Sequence, residues 1–357
     1  MNASCDEVLD EATAERLHTV EIHLQVLAGY LAGDYNELCI NAPGELWTYT
    51  HGHWVPVSMP ELDYVWCEEL SRLVANFSGQ TRQAIISAEL PGEQRIEIVL
   101  PPVTEVPSIT IRLPPKGKAF SLEDIISFGS FKRTEWVQTR GISAAERAEL
   151  HGDLTAKELQ LLELFNARDV TGFLCAAVVG KQNIFFVGET GSGKTALMNA
   201  LGHKIPADER LVTVEDTRES RLPHRNQVNL KFSRDSAAPE RIRVKGVLAS
   251  TLRQFPSRVL LAEIRGDEAY FFFQNVVNSG HPGTMASFHA NSPKMAFRRM
   301  ANMIQASPEG SQLSQDLIIK DLYSLINIVI QCERDENGKP FVSQIYYDPE
   351  YAIKIAG

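Results

Sequence analysis

A chain of 357 residues, 44% hydrophobic and 22% charged, is long enough for two domains and has the composition of a folded globular protein. Its 35 Lys and Arg against 45 Asp and Glu give a formal net charge of −10, which argues against an overall nucleic-acid-binding surface while leaving room for a local basic patch. Cys5, Cys39, Cys67, Cys175 and Cys332 form no C-x-x-C pair, Met1–Glu7 lacks the regions of a signal peptide, and no apolar run is long enough to cross a bilayer, so a reducing cytoplasmic setting with at most peripheral membrane association is expected.

Residues 6–31 read as helix, with Leu24, Leu27, Ala28 and Leu31 on one face. Residues 37–41, 46–50 and 53–57 alternate like the strands of a meander, the first two joined by the turn Ala42-Pro43-Gly44-Glu45. Trp47, Tyr49 and Trp54 fit cross-strand packing better than a stacking platform for a base, and His51 and His53 read as turn residues. Pro60 to Phe77 forms a helix by its apolar spacing. Strands follow at 84–90, 95–100 and 108–113, punctuated by Pro91-Gly92 and Pro101-Pro102. Arg95 opens one of them and Arg112 lies near the end of another; each is either a solvated surface arginine or an anion contact at a cleft. Ser121–Asp124 resembles a capping box, and the polar stretch 142–155 reads as a linker between a first domain, 1–141, and a second, 156–357.

After residue 156 strands and helices alternate, the pattern of a mostly parallel sheet with its active edge at the strand C-termini. The apolar run 183–187 leads into Gly188-Glu189-Thr190-Gly191-Ser192-Gly193-Lys194-Thr195, and a good helix former follows. Strand, G-x-x-x-x-G-K-T and helix in that order make a P-loop. Its backbone amides cradle phosphate oxygens, Lys194 reaches the β- and γ-phosphates, and the Thr195 hydroxyl is placed to ligate Mg²⁺. ATP and Mg²⁺ are the expected ligands. Further strands are read at 210–214, 228–230, 258–262 and 284–288, with helices at 242–255 and 268–278.

Two of these strands end in acids, Glu215-Asp216 and Glu263, where a γ-phosphate would lie. A phosphoryl-transfer site needs one acidic group to organise the metal and another to position water. Glu263 occupies the place usually taken by an Asp at the end of an apolar strand. The stretch Ser279–Asn291 carries His281 between glycines, a candidate γ-phosphate sensor, and His289, which reads equally as a core histidine.

The P-loop, the Val214–Glu219 acidic box, the Leu261–Gly266 segment and the Gly280–Asn291 histidine box occur in the order found in the secretion ATPase superfamily, which the chain resembles over nearly its whole length. The match is sharp in the second half and diffuse in the first. Without a tetracysteine module, the chain looks most similar to the hexameric type IV secretion and conjugation branch. The resemblance implies an α/β architecture: a C-terminal RecA-like P-loop domain with a mostly parallel sheet and a smaller N-terminal α+β domain. It implies a homohexameric ATPase at the inner membrane, peripherally attached, partnered by other components of the secretion machine and without sequence-specific nucleic-acid binding. It further implies that ATP lies between the domains, with Arg95 and Arg112 reaching its phosphates, Glu215 and Glu263 serving catalysis, and His281 coupling nucleotide state to motion. The alternatives are a pilus-retraction or type II secretion ATPase, a nucleic-acid-translocating RecA-like motor, and a scaffold that uses nucleotide only for assembly.

Overall fold

The computed structural model describes residues 11–50, 52–114, 119–233 and 239–356, so the chain start with Cys5, and His51, fall outside the described residues. The chain divides into two compact units, Met1–Gly117 and Lys118–Gly357.

The first unit is one antiparallel sheet under two helices. Its strands are β1 (Glu37–Ile40), β2 (Glu45–Thr50), β3 (His53–Ser58), β4 (Ile85–Glu89), β5 (Arg95–Val99) and β6 (Ser108–Arg112), in the order β3-β2-β1-β6-β5-β4. Alternation decides the faces. Leu38, Ile40, Ile96, Ile98, Ile109 and Ile111 are buried in one core with Val20, Leu24, Leu70 and Val74 of the helical segments. Their neighbours in sequence face away. The second helix is Tyr64–Phe77, starting later than the periodicity suggests because the Asp63 side chain caps it by accepting from the Trp66 amide. The first, expected over 6–31, has its residues 6–10 outside the described ones and is interrupted further on: Glu11–His23 gives way to a 3₁₀ turn at Leu24–Leu27 and a last helical turn at Ala28–Leu31. Tyr49 and Trp54 are cross-strand partners with ring centroids 4.9 Å apart, as a packing pair would be.

The second unit is a sheet between two helical layers. Its strands are β7 (Glu135–Val137), β8 (Ile184–Gly188), β9 (Leu211–Glu215), β10 (Gln227–Lys231), β11 (Arg258–Leu261), β12 (Met285–Phe288), β13 (Ile328–Arg334) and β14 (Pro340–Tyr347), in the order β10-β9-β11-β12-β8-β13-β14-β7. The strands from β10 to β13 run parallel; β14 is antiparallel to β13, and β7 is parallel to β14. Every residue of β8, β9, β11 and β12 is buried, as strands covered on both faces must be. Phe185, Val214, Leu261 and Phe288 belong to the core on one face; Ile184, Phe186, Leu211 and Met285 belong to the core on the other. The expected helix at 268–278 is present but underwound, with a π-helical stretch at Phe272–Val277 that buries both Phe272 and Phe273. The expected helix at 242–255 is reduced to Val244–Thr251.

The division between units falls before residues 119–141, not after them. The expected boundaries 1–141, 142–155 and 156–357 therefore give way to a break at Gly117/Lys118. The physical reason is pairing: β7 joins β14 through Glu135–Gln344, Trp136–Ile345 and Val137–Tyr346. Residues 142–155 are a helix strapped to the second unit. Arg147 donates to Asp348 at 2.8 Å, to Glu350 at 2.6 Å and to the Thr139 carbonyl at 3.1 Å. The polar composition that suggests a linker is the composition of this helix, Ala144–Leu150, with its capping box at Ser143.

Candidate functional site

Because β8, β9, β11 and β12 run parallel, their C-terminal ends lie along one edge of the sheet, and the P-loop stands at that edge. Gly188 ends β8 so close to β13 that a Cβ there would lie 2.0 Å from the Cys332 carbonyl, so only glycine fits. Gly193 holds φ at +87° as the residue before the helix Lys194–Gly202, and Pro340 lies against it. The buried Ser192 hydroxyl donates to the Glu189 carbonyl at 2.8 Å. Glu189 is itself held by Arg334 of β13 at 2.9 Å, and that guanidinium keeps its carboxyl below the usual carboxylate range. Thr190 is exposed at the tip, and Thr195 is half-buried in the first turn of the helix.

Lys194 is buried and donates to two carbonyls of its own loop, Gly188 at 2.9 Å and Glu189 at 2.7 Å. Burial pushes its ammonium below its ordinary value, an effect that nearby carboxylates, Glu263 first, counteract. A cation in this position gains from an anion placed in the loop.

The two acids differ in what they do. Glu215, at the end of β9, is buried, and its Oε1 accepts from the Ser220 amide at 2.9 Å, the Ser220 hydroxyl at 2.8 Å and the Glu219 amide at 3.2 Å. It shapes the turn that follows Asp216. Burial raises its carboxyl, against the lowering effect of those hydrogen bonds. Glu263, just past β11, faces His289 and Arg265. Arg265 also approaches Asp216 at 4.0 Å, drawing the ends of β9 and β11 together.

His289 follows β12 directly. Its Nε2 lies 2.9 Å from Glu263 Oε1, and its Nδ1 lies 2.9 Å from the Gly188 carbonyl, the same oxygen that Lys194 binds. A carbonyl only accepts, so Nδ1 carries a proton. The arrangement brings the base of the P-loop and Glu263 to opposite sides of one ring.

His281 is not brought to this edge. It precedes β12, so it stands at the N-terminal edge of the sheet, farther from the P-loop than the length of β12, roughly 10 Å at about 3.3 Å per residue. Its loop is fastened there: the Gly283 and Thr284 amides both donate to Asn183 Oδ1 at 3.0 Å, and the Thr284 hydroxyl donates to the His281 carbonyl. As the histidine at the phosphate edge of this unit, His281 is replaced by His289. The signal that separates them is register: β12 pairs with β8 from Met285–Ile184 to Phe288–Val187, which carries the residue after Phe288 to the P-loop end.

Arg95 and Arg112 lie in the first unit, on the sheet face away from its core. They are direct cross-strand partners. Glu89 stands opposite Arg95, and Glu37 opposite Arg112, which donates to it at 2.6 and 2.9 Å.

Comparison with known proteins adds to this geometry. A family model described as type II/IV secretion system protein matches residues 153–338. The chain is 36% identical over 363 residues to the type IV secretion system protein VirB11 of Bartonella henselae, covering 100% of this chain and 99% of that one. It is 37% identical over 354 residues to VirB11 of Brucella suis, covering 96% and 94%. A crystal structure of the VirB11 ATPase from the Brucella suis type IV secretion system, in complex with sulphate, is similar at a TM-score of 0.52 and 36% identity, covering 94% of this chain and 99% of that one. The pilus retraction motor PilT with bound ADP shares the fold at a TM-score of 0.55 and 13% identity, covering 95% and 85%.

Proposed function

The chain belongs to the type II/IV secretion system protein family, and from that premise we propose that it is the ATP-hydrolysing motor subunit of a type IV secretion or conjugation machine, working as a homohexameric ring. The observation that carries the hydrolytic part is the bridge from Glu263 through His289 to the Gly188 carbonyl. A binding protein needs only the loop; a hydrolase also needs an acid aimed at the loop's far side.

In this reading the P-loop amides and Lys194 take the β- and γ-phosphates, which replace the two carbonyls as the partners of Lys194. Glu263 positions the attacking water and takes its proton, with His289 holding the carboxylate. Glu215 keeps the acidic turn in shape, and Arg95 with Arg112 offers a pair of cations to an anion. Thr195 suits Mg²⁺: a hydroxyl is a hard oxygen donor, and this ion takes one or two protein ligands with phosphates and waters supplying the rest. When bound, the ion neutralises charge on the β- and γ-phosphates.

The relatives' names support service in a type IV secretion system. Attachment at the inner membrane is proposed as peripheral, since among the described residues no helix is long and apolar enough to cross a membrane. The test is Lys194→Ala: ATP turnover is abolished while the melting profile is kept, and near-normal hydrolysis overturns the assignment. Sedimentation with ATP reads the ring mass, and co-sedimentation with anionic vesicles reads the attachment.

A further inference from the structure

Phe255 stands in the turn between the helix Val244–Thr251 and β11, at the edge of the sheet opposite the P-loop. It is 92% exposed, more than any other large apolar side chain among the described residues. Its φ is +52°, a left-handed conformation that strains a bulky residue. The turn is nonetheless fixed on both sides of it. The Arg210 side chain donates to the Gln254 carbonyl at 2.8 Å, the Ser257 amide donates to the Arg210 carbonyl at 2.8 Å, and Pro256 is buried. A rigid turn thus holds an aromatic ring out in water.

The same unit has an open cleft of about 270 Å³ where the π-helical stretch, the helix Pro293–Ala306 and the helix Gln315–Leu325 meet. Tyr270, Phe273, Ile304, Leu313 and Leu325 give it apolar walls, and Asp321 is the one charged residue of its lining. Sites for small organic ligands are larger, about 300–1,000 Å³, with several convergent polar groups. This cleft has the size and lining to take a side chain. Charge matches as well: Arg253 is exposed two residues before Phe255, and neither Arg253 nor Asp321 has an ion-pair partner among the described residues. At 92% exposure Phe255 is outside the cleft of its own chain, so a ring of this kind must come to the cleft from another copy.

Building on the homohexamer reading above, we propose that Phe255 of one subunit seats in this cleft of the next, with Arg253 beside Asp321. A projection and a cleft at different places on one surface make a head-to-tail contact, the kind that repeats and closes into a ring. Aromatic residues and arginine are the side chains that most often anchor interfaces. A ring already fixed by its turn gives up little freedom on seating. One aromatic side chain covers roughly 150–250 Å², against about 800 Å² on each partner of a stable interface. The anchor therefore sets the register of a larger contact and is not the whole of it.

Sedimentation velocity across a range of protein concentrations, with ATP present, tests the contact. Phe255→Gly removes the ring and takes the positive φ without strain. It is expected to need about tenfold or more protein for half-assembly. Its melting temperature, read where both proteins are monomeric, is expected to equal or exceed that of the wild type, which a ring serving only the fold would not allow. Arg253→Glu weakens assembly in the same way, and adding Asp321→Arg to that chain restores it. Normal assembly of Phe255→Gly, or a reversed pair that assembles no better than Arg253→Glu alone, overturns the contact. A wild type that stays monomeric at every concentration, with and without ATP, overturns the ring reading itself.

Discussion

Arg95 on β5 and Arg112 on β6 stand directly opposite each other across an antiparallel strand pair, with Glu89 beyond the first and Glu37 beyond the second. Like charges in direct opposition cost a sheet a few tenths of a kcal/mol up to about 1 kcal/mol. The flanking glutamates offset part of that cost, and an anion bound over both arginines would offset more. Arg112→Ala is therefore expected to change unfolding free energy by less than about 1 kcal/mol, since its pair with Glu37 is partly exposed. The same change is expected to lower ATP turnover about tenfold or more. Unchanged steady-state kinetics would exclude a role for the pair in nucleotide handling.

His289 and Glu263 act through one contact, so their substitutions should not add. His289→Ala and Glu263→Gln are each expected to lower kcat about 100-fold, and the double variant should be little worse than either single. His281→Ala, at the other edge of the sheet, is expected to stay within about threefold of the wild type, a change of under ~1 kcal/mol. Additive losses, or a large loss at His281, would reverse the assignment of the two histidines.

Glu215 gives a pH signature. Burial raises its carboxyl above the ordinary 4.5 in the folded protein. A carboxyl raised on folding favours the native state while protonated, and this contribution is lost as pH climbs from the unfolded value through the raised one. Gln at this position does not ionise. The stability of Glu215→Gln relative to wild type should therefore improve as pH rises above about 4.3, by about 1.4 kcal/mol for each pH unit of displacement, and then level off. Urea unfolding of both proteins between about pH 4 and 8 reads the difference. A difference that stays flat with pH would contradict a buried, titrating Glu215.

Arg147 makes a stability prediction with no catalytic content. It serves Asp348, whose side chain is 0% exposed, and Glu350, at 6%. Arg147→Met leaves two acids without this cation, and breaking a buried pair costs about 3 kcal/mol. Arg147→Lys keeps the charge but not the two-nitrogen fork, so it should fall between. A thermal melt measures the loss, and limited proteolysis should cut first among residues 138–153, the segment the fork holds down.

What the sequence made legible was local. The P-loop, the acid after β11 and the capping boxes at Ser121 and Ser143 each depend on spacings of a few residues, and each stands where those spacings put it. Illegible features depend on pairing across long stretches. β7 has three residues and no pattern of its own; it exists because β14 offers it an edge. Composition therefore placed 119–141 in the wrong unit. His281 and His289 share one short stretch, and only the register of β12 against β8 tells which reaches the loop. The Arg334–Glu189 pair joins residues 145 apart, so nothing near either one announces it.

The strap at Arg147 also bears on how the protein is made. Thr139 binds Asp348 across 209 residues, and β7 waits for β14. On a ribosome, residues 119–154 emerge long before their partners, whereas the first unit has all of its strands by Arg112. The first unit can close during synthesis; the second cannot finish until β14 and Asp348 have left the exit tunnel, and contacts this distant in sequence form slowly. A chain stalled or truncated before β14 would carry a complete first unit and a P-loop unit with its opening segment unfastened. Quality control acting on nascent chains would meet that segment first.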